Sequence, residues 1–258
     1  MDKYEVFKKQ INDLIHIDLD YYKEKQMKRR ITSLLKRHNF NDFDDYFQGL
    51  KSDKMLLNEF VNYLTINVSE FYRNPSQWEI LEKEILPDLI KKKNKNIKIW
   101  SSACSTGEEP YSLVMLLTKF FDLKDIRILA SDIDIEAINK AKLGIYNSKS
   151  LDNLPKEFKN KYFEPIESSY KIKDEIKKCV EFKKIDLLKD VFPSNLDLII
   201  CRNVMIYFTE EAKELLYKKF YDSLSNDGIL FVGSTEQIIL PDRYKFKPVK
   251  TFFYKKNS

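Results

Sequence analysis

Between an apolar run and a helix-like stretch, residues 100–112 read WSSACSTGEEPYS. The position suits a nucleotide-binding loop, but the composition does not. A phosphate cradle needs backbone N–H groups and positive charge. Here a single glycine, Gly107, is followed by Glu108 and Glu109. A small, polar, acidic loop suits a cation. Four more segments put polar residues directly after apolar runs: SDID (131–134), IDLL (185–188), CRNVMIYF (201–208) and VGSTEQ (232–237). In an open parallel sheet, ligands bind beyond the carboxyl ends of the strands, so these segments could share one site. Asp132 is placed to accept ribose hydroxyls, although capping of the next helix explains a lone aspartate as well. Asp186 and Leu187 suit the edge and face of an adenine ring. Arg202, Asn203 and Tyr207 follow the very apolar LDLII, where polar groups need partners; a ligand or a simple turn would supply them. The role of VGSTEQ is the least defined. Together the segments suit an adenosine-containing ligand with no phosphate chain. S-adenosylmethionine, cationic at its sulfonium and amino groups, meets that description.

The elements that must position these residues follow from hydrophobic periodicity. Residues 1 to about 72 carry apolar side chains every three to four positions, as in Leu56, Leu57, Phe60, Val61 and Leu64, which predicts helices throughout. Arg73-Asn74-Pro75-Ser76 interrupts them, and QWEILEKEILPDLIKK reads as a further helix. Beyond it, short apolar runs at 97–100, 126–130, 180–185, 196–201 and 229–232 predict buried strands. Amphipathic helices at 111–121, 135–141 and 210–224 fit between several of them, which is the pattern of a parallel, doubly wound α/β sheet. YKFKPVK and TFFYKK can close it as an antiparallel hairpin. That plan is the Rossmann-like sheet of class I methyltransferases. Lysine-rich residues 145–180 leave the alternation, with at most short strands near 170–172, and read as an insertion. The predicted organisation is a helical domain over 1–75 and an α/β domain over 76–258, interrupted at about 145–180.

Composition narrows the chemistry. The chain has 258 residues, 43% of them hydrophobic, with five glycines and eight prolines, enough for a packed core without long disordered linkers. No apolar stretch approaches the roughly 20 residues that cross a bilayer, and the charged, periodic start is unlike a signal peptide. The expectation is a soluble, cytoplasmic protein without membrane insertion. Cys104, Cys179 and Cys201 are scattered, which fits a reducing compartment and argues against a metal site. Both histidines, His16 and His38, lie in the first forty residues, so chemistry elsewhere runs without imidazole.

In order and spacing, TINVSEFYR, WSSACSTGEEPYSLVM, ASDIDIEAINKAKLGIY, CRNVMIYF and GILFVGSTE resemble the chemotaxis receptor methyltransferases, the CheR family. The resemblance covers nearly the whole chain. It implies a small all-helical N-terminal domain, a class I methyltransferase domain and a small inserted β-subdomain. It also implies methyl transfer from S-adenosylmethionine to glutamate γ-carboxylates of methyl-accepting chemotaxis receptors, leaving S-adenosylhomocysteine. By resemblance, Asn67, Ser69, Arg73, Glu108, Asp132, Asp186, Leu187, Arg202 and Asn203 match the cofactor-binding positions. Ser69 stands where threonine is common. Gly233-Ser234-Thr235-Glu236 replaces the usual G-H-S-E, so catalysis here cannot require that histidine. A glutamate is ionised at neutral pH, with a pKa near ~4.3, and needs no general base. Arg73 and Tyr207 are the candidates for positioning the acceptor carboxylate; a salt bridge and a core aromatic are their plainer readings.

Residues 23–37, KEKQMKRRITSLLKR, put Met27, Ile31, Leu34 and Leu35 at helical spacing, leaving the basic residues on the other faces. This is either a solvated face or a docking surface, with Lys28, Arg29, Arg30 and Arg37 meeting the acidic coiled coil of a receptor. The net charge of +5 alone does not imply nucleic acid. A nucleic-acid methyltransferase would be expected to carry an Asn/Asp-Pro-Pro-aromatic motif where Arg202-Asn203-Val204-Met205 stands. A binding module without turnover would be expected to have lost ligand residues. The expected form is a monomer. YFEPIESSYKIKDEI in the insertion is short and lacks glycine, which predicts an enzyme independent of a C-terminal receptor peptide tether.

Overall fold

The computed structural model describes residues 2–93 and 96–257. They form two compact units, 1–67 with 204–215, and 68–203 with 216–258. The first unit begins with four helices: α1 (Lys3–Ile15), α2 (Glu24–Arg37), α3 (Phe43–Ser52) and α4 (Lys54–Thr65). Asp2, Asp42 and Asp53 cap α1, α3 and α4 by accepting from first-turn N–H groups that have no helical partner. Tyr4, Phe7, Ile11, Ile31, Leu34, Tyr46 and Phe60 build its core, with Phe60 edge-on to Phe7 at 6.0 Å and to Tyr46 at 5.9 Å. The predicted helical run to about residue 72 stops earlier, at Thr65, where Ile66 turns left-handed at φ 47°. Apolar spacing continues to Phe71, but the backbone does not follow it.

In the second unit, α5 (Pro75–Ile80), a π turn (Leu81–Ile85) and α6 (Leu86–Lys92) form one continuous rod. Pro75 opens it at a position where a missing N–H costs nothing. Pro87 cannot donate back to the Lys83 carbonyl, and the π turn spans that carbonyl. The alternation follows: β1 (Ile99–Ser101), α7 (Glu108–Leu117), β2 (Ile128–Asp132), α8 (Ile135–Leu143), β3 (Ile145–Asn147), α9 (Lys156–Tyr162), β4 (Phe163–Ile166), β5 (Ser169–Ile172), α10 (Asp174–Lys177), β6 (Val180–Lys184), β7 (Leu196–Cys201), α11 (Glu210–Ser223), β8 (Leu224–Val232), β9 (Phe246–Lys250) and β10 (Phe253–Lys256).

Seven strands order as β6-β2-β1-β7-β8-β10-β9. The first five run parallel, and β10 and β9 close the sheet antiparallel. Every residue of β7, Leu-Asp-Leu-Ile-Ile-Cys, is buried, as a strand covered on both faces requires. Order reverses between β1 and β7: from β1 the chain steps outward to β2 and β6, then returns to the other side of β1. The carboxyl ends beside that switch point are where a ligand crevice forms.

The insertion holds more sheet than its sequence suggests. β3, β5 and β4 form a separate antiparallel sheet. The hairpin β4–β5 turns through Glu167 and Ser168 alone, with Glu167 at φ 47°. Gly144 ends α8 at φ 69°, and a Cβ there would stand 2.6 Å from Ile172 Cγ2, so only glycine lets β3 start beside β5.

The chain re-enters the first unit at residues 204–215. There Tyr22 and Phe208 form an isolated antiparallel bridge with rings 5.1 Å apart. Lys23 N donates to Tyr207 O at 2.9 Å and Thr209 N to Tyr21 O at 2.9 Å.

Candidate functional site

The acidic loop is built by its backbone. After β1, Ser105 (φ 47°) and Gly107 (φ 94°) are both left-handed, which turns the chain into α7. A Cβ on Gly107 would stand 2.8 Å from Ala141 Cβ, so this glycine is required twice over. Cys104 N donates to Ser131 O at 2.9 Å, Tyr146 Oη to Thr106 O at 2.8 Å, and Tyr111 Oη to Ala141 O at 2.8 Å. Burial pushes the Cys104 thiol well above its usual range, so it is a packing group.

Asp132 closes β2 and braces the loop. Its Oδ2 accepts from Ser105 N at 2.7 Å and its Oδ1 from Asp134 N at 3.0 Å. The helix cap weighed for Asp132 is made by Asp134 instead, which accepts from Glu136 N and Ala137 N. Burial is the largest influence on the Asp132 carboxyl and pushes it up to about 6, against the backbone donors that pull it down. Its two oxygens, met by backbone N–H groups of Ser105, Ile133 and Asp134, still have a lone pair left for a hydroxyl donor. Next to it, Ile185 N donates to Asp132 O at 3.1 Å, which ties the start of IDLL to β2. Asp186 itself accepts from Leu188 N at 2.9 Å, burial raises its carboxyl, and Leu187 is buried beside it.

The two glutamates of the loop have different fates. Glu108 is buried, and its carboxylate accepts from Thr106 Oγ1 at 2.7 Å and from the Ser69 hydroxyl; burial raises it more than these donors lower it. Glu109 instead belongs to the interior: Ser101 Oγ donates to it at 2.8 Å and Arg202 pairs with it at 3.3 Å. Of the loop's two glutamates, then, Glu109 is the one committed to an ion pair in the interior.

Arg202 is a clamp. Besides Glu109, its guanidinium reaches Arg73 O at 2.8 Å, Gln77 Oε1 at 2.9 Å and Asn74 Oδ1 at 3.2 Å, over the Phe231 ring at 4.8 Å. So engaged, it fixes the turn at 72–77. In that turn Tyr72 (φ 53°) and Asn74 (φ 61°) flank Arg73 in left-handed conformations, strained for a tyrosine. Phe71 N bonds Ser150 O at 2.9 Å, Tyr72 N bonds Ser112 Oγ at 3.1 Å and Trp78 Nε1 bonds Arg73 O at 3.0 Å. The Arg73 side chain, half-buried, is thus offered from a braced backbone, its NH1 3.3 Å from Val68 O.

Asn203, left-handed at φ 62°, is held by a residue whose role the sequence left undefined. Glu236 Oε2 accepts from Asn203 N at 2.5 Å and from Gly233 N at 2.9 Å. Asn67 and Tyr207 belong to the first unit, where Asn67 Nδ2 bonds Thr65 Oγ1 at 3.1 Å and Tyr207 is partly exposed. The basic helix α2 is as expected, but its charges differ in use. Lys28 pairs with Asp2 at 2.9 Å and Arg37 with Glu59 at 3.5 Å. Arg30 donates to Tyr63 O and lies 4.5 Å from that ring. Arg29 stays exposed, with no ion pair among the described residues. A cavity of about 620 Å³, lined by Lys98, Leu117, Arg127 and Val180 among others, opens at the opposite, amino-terminal ends of the strands.

A parallel sheet reversed at β1/β7, an acidic first loop and an acidic end to the second strand define a class I methyltransferase. Its carboxylates suit a cationic, hydroxyl-bearing cofactor. The sequence comparisons place it further. Residues 2–65 match the model for the CheR methyltransferase all-alpha domain, and residues 67–253 that for the CheR methyltransferase SAM binding domain. A chemotaxis protein methyltransferase of Listeria innocua is 41% identical over 238 residues, 92% of this chain and 91% of that protein. Those of Borreliella burgdorferi and Escherichia coli are 36% identical over 250 residues (89% of this chain, 88% of that protein) and 32% over 242 (88% and 83%). The chain belongs to the CheR methyltransferase family, and its cofactor is S-adenosylmethionine.

Proposed function

We propose that this chain methylates glutamate γ-carboxylates of chemoreceptors, forming glutamyl methyl esters. The observation that carries the reading is the site's donor set, a buried Asp132 and Glu108 around a glycine-turned loop with no cationic side chain in it. Such a set repels phosphate and attracts a sulfonium. When bound, S-adenosylmethionine supplies a methyl group that a carboxylate oxygen takes in one displacement, the sulfur keeping the bonding pair. No proton moves in that exchange, which is why a chain without histidine beyond His38 can perform it. Asp132 accepts the ribose hydroxyls, Glu108 faces the cationic end, and Leu187 packs on the base. Ser69 orients Glu108, while Asp186, Arg202 and Asn203 complete or support the pocket. Arg73 orients the acceptor carboxylate, so that the effect is one of alignment and exclusion of water.

The substrate partner is the cytoplasmic coiled coil of the receptor, met by the first unit through Arg29 and its neighbours on α2. The inserted sheet does not serve as a tether. Its β4–β5 turn has two residues, and its edge strand β4 carries Pro165, which has no N–H to offer an added strand. The test is transfer of tritiated methyl from the cofactor to receptor membranes, read as base-labile methanol. Label stable to base, or transferred to nucleic acid instead, would overturn the proposal.

A further inference from the structure

Two backbone N–H groups from different strand ends converge on one carboxylate oxygen. Asn203 N follows β7, Gly233 N follows β8, and both donate to Glu236 Oε2, at 2.5 and 2.9 Å. Glu236 N in turn donates to Gly233 O at 3.0 Å, so the carboxylate is aimed by a closed turn of its own chain. Glu236 is 6% exposed, and a charge this deeply buried is tolerated only where donors meet it. The space it uses is kept open by a missing side chain. A Cβ on Gly233 would stand 2.3 Å from Glu236 Oε2, 2.9 Å from Asn203 N and 3.2 Å from Asn203 Nδ2. The amide of Asn203 therefore lies over Gly233, and its left-handed backbone is held from below by Glu236.

We propose that Glu236 is a positioning residue for the cofactor pocket, acting through Asn203, with Gly233 as the opening that lets it do so. This rests on the reading of Asn203 as a cofactor-binding residue. Two parallel strands end side by side here, and Asn203 lies between the end of β7 and the cap of a short 3-10 turn, outside both. Asparagine visits the left-handed region more readily than other side-chain-bearing residues, but without a partner for its N–H Asn203 has other conformations open to it. The carboxylate holds it there by a charge-assisted bond, and the Gly233 bond locks the carboxylate in turn. The geometry also accounts for the G-S-T-E segment without its usual histidine. The glycine and the glutamate carry the function, and Ser234 need contribute no side chain.

The test is calorimetric titration of S-adenosylhomocysteine into the full chain, with the thermal midpoint recorded for each variant. Glu236→Ala and Gly233→Ala remove the same bond by different routes, one deleting the acceptor and the other displacing it. Each should weaken binding by about tenfold or more while the protein stays folded at the assay temperature. Glu236→Gln keeps an acceptor oxygen in place and should stay within about threefold of the parent. Asn203→Ala should weaken binding, and adding Glu236→Ala to it should weaken it little further. Full affinity in Asn203→Ala would mean that Asn203 is not a cofactor residue, and the reading beneath the proposal would fail. Weak binding in Asn203→Ala, with tight binding in Glu236→Ala or Gly233→Ala, would overturn the positioning role alone. Additive losses in the double variant would overturn it as well.

Discussion

Asp132 should make cofactor affinity depend on pH in a direction that stability does not share. Burial lifts its carboxyl from the ordinary 3.8 to about 6 in the free protein. Ribose hydroxyls donate to the ionised form, so binding pulls the value back down: below about 6 it releases a proton, and above about 6 it exchanges none. Affinity is then constant at high pH and falls through 6 as Asp132 is protonated. At pH 5, one unit below, the competent fraction is about one in eleven, so the dissociation constant rises roughly tenfold, or about 1.4 kcal/mol. The effect on folding has the opposite sign. A raised carboxyl binds protons in the folded state before the unfolded one, so this group adds stability as pH drops from about 6 towards 4. Weak binding at pH 5 is therefore not unfolding driven by Asp132. The assay is titration with S-adenosylhomocysteine between pH 5 and 8, whose own carboxyl and amino groups keep their charge in that window. Glu108 is pushed the same way by burial, so Asp132→Asn is the control: it should bind weakly and lose most of the break near 6. A flat profile in the parent, or an unchanged break in Asp132→Asn, would refute the argument.

Other outcomes follow from single contacts. Glu109→Ala strands the buried Arg202 guanidinium and should cost about 3–5 kcal/mol in urea unfolding, while pairing it with Arg202→Met should recover part of the loss. Gly107→Ala forces a Cβ to 2.8 Å from Ala141 at φ 94°, and should lower the thermal midpoint and abolish cofactor binding together. Arg29→Glu should raise the receptor KM at low salt and leave cofactor affinity alone, whereas Arg30→Ala, losing its carbonyl and ring contacts, should instead destabilise the fold by about 1–2 kcal/mol. A free receptor C-terminal peptide should show no binding by calorimetry; low-micromolar binding would contradict the tether-independent reading.

The parallel strands were legible because a strand buried on both faces leaves an unbroken apolar run, and LDLIIC is one from end to end. Of the inserted strands only β5, near 170–172, was. At three or four residues each, with Glu164, Lys171 and Ser169 among them, β3, β4 and β5 have too little length to show a period. Helix α4 was read past its end because hydrophobic spacing does not register a left-handed residue such as Ile66. At the site, the residues standing at strand ends could be picked out by position: Glu108, Asp132, Asp186, Arg202 and Asn203. What each side chain does there could not. Glu109 and Arg202 meet across 93 positions and Glu236 and Asn203 across 33, and a local pattern carries no sign of partners that distant. That is why the pairing of Glu109 with the interior did not show in the acidic loop, and why the role of Glu236 stayed undefined.

The return of residues 204–215 makes the helical unit discontinuous, and this bears on how the chain is made. On the ribosome, helices α1 to α4 emerge first, yet the strand-like pairing of Tyr21 to Lys23 with Tyr207 to Thr209 waits until most of the second unit has been translated. At roughly 5–20 residues per second the delay is on the order of ten seconds. The nascent helical bundle must survive that interval with Tyr22 uncovered. A gene fragment ending after α4 would reproduce this unfinished state rather than a free-standing domain. A faithful excision would splice 204–215 back beside Tyr22.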